Sequence, residues 1–250
     1  MATRAKGWAE RGMLGVVVVE HLAMIRAGTA LMISEQPDMA VAAEADTADA
    51  AMAALRRLPK RSTLVVLVGL GLPGERDERW LIRTIRDTHP TLPILATGNV
   101  SDGRDISRAL FMGADGFVHH GAEPDRFLDA LRRTAQGSVV LEGLPKNWFG
   151  PIADELTTHQ AVPPALTDRE VEVLQAAAEG LTARQIGSRL GVRERTVTTH
   201  LSRIYKKLGA SGRIAAISAA GGGSLAGTIP GRPALASASV AARPHRPRTA

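Results

Sequence analysis

Five short apolar runs alternate with longer amphipathic stretches between residues 13 and 133, and this alternation is the strongest constraint on the fold. The apolar runs predict strands at 14–19, 39–43, 64–68, 93–97 and 116–119. The stretches that follow them predict helices at 22–35, 47–58, 75–89, 101–112 and 123–135. A helix between successive strands requires parallel pairing, with helices covering both faces of the sheet. We therefore expect an α/β domain built on a five-stranded parallel sheet.

The end of the chain is organised differently, as short helices bounded by clear start and stop signals. Two S/T-x-x-E/Q capping boxes, at residues 167–170 and 182–185, predict the starts of two helices, and Gly180 and Gly191 end them. A third helix is predicted over about 194–208. Two short helices joined by a tight, glycine-containing turn form a helix-turn-helix, whose second helix enters the DNA major groove.

The third helix separates its apolar residues from its polar ones. At about 100° per residue, Val197, Leu201, Ile204 and Leu208 form one stripe, which we expect to be buried. The opposite face has no acid and combines cations with hydroxyls, which suit guanine, other base edges and the thymine methyl group. Its residues are Arg195, Thr199, Ser202, Arg203 and Lys206, with Thr198 at the edge. A solvated basic face on an ordinary three-helix domain would show the same pattern.

Four runs in this region carry a resemblance to a known family. They read L-T-x-R-E-x-E-V-L, A-E-G-L-T, I-G-x-R-L and T-V-x-T-H-L-S-R-I-Y-x-K-L-G, and together they span about fifty residues. This pattern is similar to the LuxR-type helix-turn-helix of the NarL/FixJ group of response regulators. The resemblance implies a transcriptional regulator that binds double-stranded DNA. Arg193 departs from the pattern, because the family often has a serine or threonine cap there.

The resemblance also implies roles for individual residues. The positions that it places opposite bases or the nearby backbone are Arg195, Thr196, Thr198, Thr199 and Ser202. With the cations and the first amides of the second helix, which suit phosphates, the full set of predicted DNA contacts is Thr182, Ala183, Arg184, Arg195, Thr196, Val197, Thr198, Thr199, Ser202, Arg203, Lys206 and Lys207. One helix-turn-helix contacts few base pairs, so we expect a homodimer on paired half-sites. The candidate self-association surfaces are the last helix, 211–219, and the fourth and fifth helices of the front domain.

The order and lengths of the front elements resemble the receiver domain of response regulators, a flavodoxin-like fold. Local matches are M-I-R-A-G after the first strand, G-L-P-G after the third and R-A-L-x-x-G-A-D-G-F leading into the fifth. Phosphoryl transfer to a receiver needs an aspartate nucleophile after the third strand, carboxylates after the first to hold Mg²⁺, and a lysine after the fifth. The aligned positions hold Gly69, then Glu20 and His21, then His120, with Thr97 at the hydroxyl position of the fourth strand.

The receiver-like domain therefore lacks the residues of phosphoryl transfer. Between Ala50 and Gly74 there is no Asp or Glu, so no shift of the third strand supplies an acceptor carboxylate. We expect a degenerate, atypical receiver that acts independently of phosphorylation. Two interpretations stay open. Either a small-molecule effector binds the crevice at the strand ends, where α/β sheets bind ligands, or the domain is only a dimerisation platform.

A nucleotide-binding α/β enzyme with an accessory helical domain is the competing interpretation. The loop from Gly69 to Gly74 matches G-x-G-x-x-G after a strand and before a helix, a dinucleotide-binding pattern. However, the loop follows the third strand instead of the first, contains Pro73, and its candidate acid, Asp87, lies within a helix. His119 and His120 point to opposite faces of a strand, so they cannot chelate one metal together. We therefore expect no catalytic residue, no cofactor and no metal site.

Charge and composition divide the chain further. Residues 14–166 hold 15 Lys/Arg and 19 Asp/Glu, residues 167–220 hold nine and five, and residues 221–250 hold four and none. A basic rear domain fits a polyanionic partner.

The expected organisation is a flexible N-terminus (1–12), a receiver-like domain (13–135), a linker (136–165), a helix-turn-helix domain (166–220) and a disordered basic tail (221–250). With no cysteine and no apolar run long enough to span a bilayer, we expect a cytoplasmic protein without a membrane partner.

Overall fold

The computed structural model describes residues 7–59, 63–100, 103–145, 148, 152 and 166–220. The first six residues of the predicted N-terminus, most of the predicted linker and the whole predicted tail lie outside the described residues. No helix within the described ranges is long and apolar enough to cross a membrane.

The front domain is a parallel sheet with helices on both sides. Its strands are β1 (Leu14–Val19), β2 (Met39–Ala45), β3 (Leu64–Gly69), β4 (Ile94–Gly98), β5 (Gly116–His119) and β6 (Val140–Glu142). Their order is β2-β1-β3-β4-β5-β6, and every neighbouring pair is parallel. The helices are α1 (Ala23–Ser34), α2 (Ala48–Leu55), α3 (Glu78–Thr88), α4 (Gly103–Met112) and α5 (Pro124–Ala135). The flavodoxin-like strand order of the receiver fold is confirmed.

The strands of the sheet contribute side chains to two hydrophobic layers. Val17 and Val19 of β1 point into one layer, with α2, α3 and α4, whereas Val16 and Val18 point into the other, with α1 and α5. All six residues of β1 are buried. Burial on both faces explains why this strand is a continuous apolar run and not an alternating one.

Two segments expected to be irregular belong to this fold. Within the predicted linker, β6 pairs with β5, so the sheet has six strands instead of five. Within the predicted flexible N-terminus, Trp8 is 1% exposed and packs over Gly15, where an added Cβ would overlap its ring. The sequence signal for both is weak, because β6 has only three residues and Trp8 lies outside any periodic pattern.

The rear domain contains four helices in its described part: α6 (Asp168–Ala178), α7 (Ala183–Leu190), α8 (Glu194–Lys207) and α9 (Arg213–Ala219). Both predicted capping boxes are present, with Thr167 and Thr182 as N-caps. Gly191 ends α7 in the left-handed conformation, at a φ of 67°, which favours glycine. The four helices enclose their own hydrophobic cluster, so this domain has a core separate from that of the sheet.

The two domains contact each other through α4 and α9. The backbone of Gly212 lies against that of Gly113, and an added Cβ on Gly212 would be 2.9 Å from the Gly113 Cα. The Ser211 hydroxyl donates to the Phe111 carbonyl, and Ile214 joins the hydrophobic cluster that includes α4. Both α4 and α9 are candidate self-association surfaces, and here they contact each other within one chain.

Candidate DNA-binding surface and receiver crevice

The apolar side of α8 anchors this helix to the rest of the rear domain. Val197, Leu201, Ile204 and Tyr205 are buried and belong to the cluster shared with α6 and α7. Leu208, expected in the same stripe, is the C-cap of the helix and is half-buried. Because one side is anchored, the opposite side of α8 faces solvent in a fixed orientation.

The solvent-facing side of α8 carries most of the predicted DNA contacts. The exposed residues are Arg195, Thr196, Thr199, Arg203, Lys206 and Lys207, while Thr198 and Ser202 are half-buried. Val197 is wrong as a predicted DNA contact, because its side chain is 0% exposed and lies in the stripe that faces the core. The acidic residue of α8, Glu194, lies in its first turn, so the rest of the exposed side is cationic or hydroxylic.

Two threonines are oriented by hydrogen bonds within α8. The hydroxyls of Thr198 and Thr199 each donate to the Arg195 carbonyl over 2.9 Å. Each hydroxyl oxygen keeps its acceptor capacity, and the position of each methyl group is fixed. An acceptor oxygen suits the amino groups of cytosine and adenine in the major groove, and a methyl group suits thymine.

The N-cap of α8 is the position where the sequence departs from the family pattern. Arg193 has an extended backbone there, and its side chain makes no capping hydrogen bond. A Ser, Thr, Asp or Asn cap stabilises a helix by about 0.5–2 kcal/mol, and α8 begins without that contribution. Glu194 in the first turn interacts favourably with the helix dipole and offsets part of this loss.

The start of α7 is a second polar surface. The Thr182 hydroxyl accepts from the Gln185 N–H over 3.2 Å, and the Gln185 side-chain carbonyl accepts from the Thr182 N–H over 2.8 Å. The amides of Ala183 and Arg184, in the first turn, have no carbonyl partner within the helix. Such amides, at the positive end of the helix dipole, favour a phosphate. The Arg184 side chain is exposed beside them.

Lys207 is not free to serve a phosphate as the sequence predicts. Its ammonium nitrogen lies 2.7 Å from a carboxylate oxygen of Glu170 on α6. The same carboxylate closes the capping box by accepting from the Thr167 N–H over 2.9 Å. The Lys207 hydrogen bond, followed by those from Thr167, lowers the pKa of Glu170 to about 2. Sequence patterns missed this pair because its members are 37 residues apart.

In the receiver crevice, the carboxylate of Glu20 fills the space beside Gly69. Gly69 is the last residue of β3 and is paired with Thr97 of β4. A Cβ added to Gly69 would collide with the Glu20 carboxylate, which is 4% exposed as a residue. Glu20 accepts from the Leu22 N–H over 2.9 Å, and the Nδ1 atom of His21 lies 3.2 Å from it. Gly69 therefore has no room for a side chain unless Glu20 moves.

The predicted crevice residues divide between two places. Glu20, His21 and Gly69 form the cluster just described, whereas Thr97 and His120 line a pocket of about 320 Å³ between α1 and α5. Burial lowers the pKa of His120, and Glu20 acts in the opposite direction. Three metal-ligating side chains do not cluster anywhere in the described residues.

The glycine-rich loop after β3 is occupied by a side chain of the protein itself. The amides of Gly71 and Leu72 both donate to one carboxylate oxygen of Glu78, over 3.1 and 3.0 Å. In a dinucleotide-binding loop such amides would be directed at a pyrophosphate. This geometry disfavours nucleotide binding at the loop, and the contact with Glu78 was not foreseen from the sequence.

A receiver-like α/β domain followed by a helix-turn-helix domain is the architecture of a two-domain response regulator. Residues 164–220 match the family described as bacterial regulatory proteins, luxR family. The nitrate/nitrite response regulator protein NarP of Escherichia coli (strain K12) is 30% identical over 208 residues, covering 80% of this chain and 91% of NarP. The transcriptional regulatory protein YdfI of Bacillus subtilis (strain 168) is 28% identical over 205 residues, covering 82% of this chain and 94% of YdfI.

A solved structure has the same fold. The RcsB response regulator of Salmonella typhimurium superposes with a TM-score of 0.50 at 20% identity, covering 84% of this chain and 99% of RcsB. The chain belongs to the LuxR family of bacterial regulatory proteins, as a response regulator of the NarL type. It is accordingly a DNA-binding transcriptional regulator.

Proposed function

We propose that this response regulator controls transcription without being phosphorylated on its receiver-like domain. The observation that carries the proposal is the pair Gly69 and Glu20. Glycine offers no nucleophile at the end of β3, and the Glu20 carboxylate fills the space that an aspartate side chain would need. Since His120 follows β5 where a receiver has a lysine, the cation that would pair with a phosphoryl group is also missing.

The output of the proposed function is recognition of double-stranded DNA by α8. Arg195, Thr199 and Ser202 are the candidates for base contacts in the major groove, because they lie on the side opposite the anchored stripe. Arg203 and Lys206 are the candidates for phosphate contacts. Together with the first amides of α7, these groups form a cationic surface that fits the duplex backbone.

Dimerisation and small-ligand sensing are the two means of control that we propose for the front domain. A homodimer would present two α8 helices to paired half-sites. Of the three candidate self-association helices, α4 and α9 contact each other within the chain, while the first turn of α5 is exposed. The pocket of about 320 Å³ between α1 and α5 could bind a small-molecule effector. The proposal therefore includes both dimerisation and small-ligand sensing.

Treatment with acetyl phosphate and Mg²⁺ tests the proposed independence from phosphorylation. We expect the intact mass of the protein to stay unchanged, and its affinity for DNA to be the same before and after treatment. A receiver that has the acceptor aspartate, treated in the same way, serves as the positive control. A mass increase of one phosphoryl group, from an acyl-phosphate adduct on the receiver-like domain, would refute the proposal.

A further inference from the structure

A cavity of about 890 Å³ lies between the two domains, at the end of the sheet opposite the receiver crevice. On the receiver side it is lined by the segments that lead into β3, β4 and β6, which are the amino ends of parallel strands. On the other side it is lined by the start of α7 and by residues of α8 and α9. We call this cavity the interdomain cleft, and its defining residues are Arg86, Thr134, Arg184, Glu194, Thr198 and Arg213.

Arg213 contributes a positive charge to the cleft and forms no ion pair with a described carboxylate, although Asp115, which is paired with Arg86, lies close enough to favour its charged form. Its guanidinium donates to the carbonyls of Ala177, Leu181 and Gly137. These bonds use four of its five N–H groups, which leaves one hydrogen on Nη1. Burial lowers the pKa of Arg213, as expected for a cation that is desolvated without a carboxylate partner.

The other charged groups of the cleft leave it positive. Arg86 forms an ion pair with Asp115, so these two cancel each other. Arg184 and Arg213 then face a single carboxylate, that of Glu194, which is exposed. Two cations against one acid give the cleft a net charge of about +1 at neutral pH, with histidine neutral.

Thr134 is the second indication that the cleft takes a ligand. This residue, in the last turn of α5, is 0% exposed, and its hydroxyl has no hydrogen-bond partner. Buried hydroxyls are nearly always hydrogen-bonded, because an unpaired one loses its interaction with water. Since Thr134 lines the cleft, a polar ligand there would supply the missing partner.

The start of α7 brings unpaired amides to the same place. Gly137 connects the groups: its N–H donates to the Thr134 carbonyl over 2.9 Å, and its own carbonyl accepts from Arg213. An added Cβ on Gly137 would lie 3.5 Å from Thr182, the N-cap of α7. The positive end of α7, Arg213 and Thr134 are therefore neighbours around one short turn.

We propose that the interdomain cleft binds a small anion, a metabolite with a phosphate or carboxylate group. The anionic group would meet the first amides of α7, the Arg184 side chain and the remaining N–H of Arg213, and it would accept from the Thr134 hydroxyl. Such a ligand connects α5 of one domain with α7 of the other. Because Thr198 of α8 lines the same cleft, the bound anion holds the DNA-binding surface against the receiver-like domain and weakens DNA binding. This consequence rests on the proposed function.

Thermal unfolding of the full-length protein with inorganic phosphate, pyrophosphate or citrate tests the site, against sodium chloride at equal ionic strength. We expect a saturable rise in Tm with at least one of these probes.

The rise should persist in Thr134→Ser, which keeps the hydroxyl, and disappear in Thr134→Val. Without any probe, Thr134→Val should be at least as stable as the parent, because it no longer buries an unpaired hydroxyl. Arg184→Ala should reduce the response, whereas Arg189→Ala on the same helix should not.

The outcomes separate this inference from the proposed function. A response to phosphate and pyrophosphate alone identifies a phosphate ligand, and a response to citrate alone identifies a carboxylate. No rise above the chloride control with any probe, or an equal rise in Thr134→Val, overturns the site. Duplex binding is measured in parallel, and the effective probe should weaken it at least tenfold in the parent but not in Thr134→Val. A protein that binds DNA but ignores the probes loses only the cleft site, whereas one that binds no DNA loses the proposed function.

Discussion

The two domains of this regulator differ in which part of the family pattern they keep. The rear domain keeps the capping boxes of α6 and α7, its anchored stripe and the cationic face of α8. The front domain keeps the sheet order and both hydrophobic layers, but the end of β3 is Gly69, and the Glu20 carboxylate fills the space where a side chain would lie. A fold is therefore maintained by many buried apolar side chains, whereas its chemistry depends on a few residues at the strand ends.

The largest effect is expected when a carboxylate is introduced at Gly69. Gly69→Asp places a side chain where Glu20 already lies. The overpacking costs about 1–3 kcal/mol, and burying a second carboxylate beside Glu20 adds a further cost. We expect a loss of about 3–5 kcal/mol in the free energy of unfolding, measured by urea denaturation. Gly28→Asp, where an added Cβ contacts nothing within 4 Å, should change stability by less than about 0.5 kcal/mol. Equal stability of the two variants would show that Glu20 does not fill the acceptor space.

The cationic face of α8 predicts the next largest effect. If Arg195 forms a bidentate contact to guanine, Arg195→Ala should reduce discrimination between a selected operator and a scrambled duplex by about 1–3 kcal/mol. Fluorescence anisotropy with both duplexes measures this difference. Arg189→Ala on α7, which removes a cation paired with Glu179, is the control and should leave discrimination unchanged. Unaltered discrimination in Arg195→Ala would remove this residue from the base-contacting surface.

The contrast between two adjacent lysines gives a smaller and sharper prediction. Lys206→Ala should weaken binding to all duplexes and make the slope of log K against log salt shallower by about 0.9, as expected for one phosphate contact. Lys207→Ala should leave that slope nearly unchanged, since Glu170 already compensates its charge. Titrations at several salt concentrations distinguish the two. If Lys207→Ala changed the slope as much as Lys206→Ala, the ion pair with Glu170 would not persist on DNA.

The low pKa of Glu170 predicts how the rear domain responds to acid. A carboxyl group whose pKa is about 2 when folded and about 4.5 when unfolded stabilises the fold above pH 4.5. That contribution is lost progressively as the pH falls from about 4.5 to about 2. We expect Glu170→Gln to remove this part of the acid dependence. Circular dichroism at several pH values measures it. A Gln variant with the same acid transition as the parent would contradict the assignment.

Local patterns in the sequence were sufficient for most elements of the fold. Continuous apolar runs identified β1 and β3, and the capping boxes identified the starts of α6 and α7. Contacts between distant residues were not accessible in this way. The pairing of Lys207 with Glu170, the capture of the Gly71 amide by Glu78 and the packing of Trp8 over Gly15 each depend on the folded arrangement.

For the candidate site, the sequence predicted only which residues of α8 face the core and which face solvent. The spacing of α8 separates its buried from its exposed side, and it already placed Val197 in the buried stripe, so adding Val197 to the DNA contacts conflicted with the periodicity. The filling of the space beside Gly69 by Glu20 could not be predicted from the sequence, because the absence of a side chain does not show which neighbour takes its place.

Because the backbones of Gly113 and Gly212 are in direct contact, a single methyl group added at either residue would change the spacing of the two domains. Gly113 has a φ of 120°, and an added Cβ there would meet the Ser211 carbonyl. Main-chain atoms have no alternative rotamers, so this contact cannot loosen by degrees as a contact between long side chains can. We therefore expect glycine to alanine at position 212 to push α9 away from α4, because the added methyl group would overlap the Gly113 backbone.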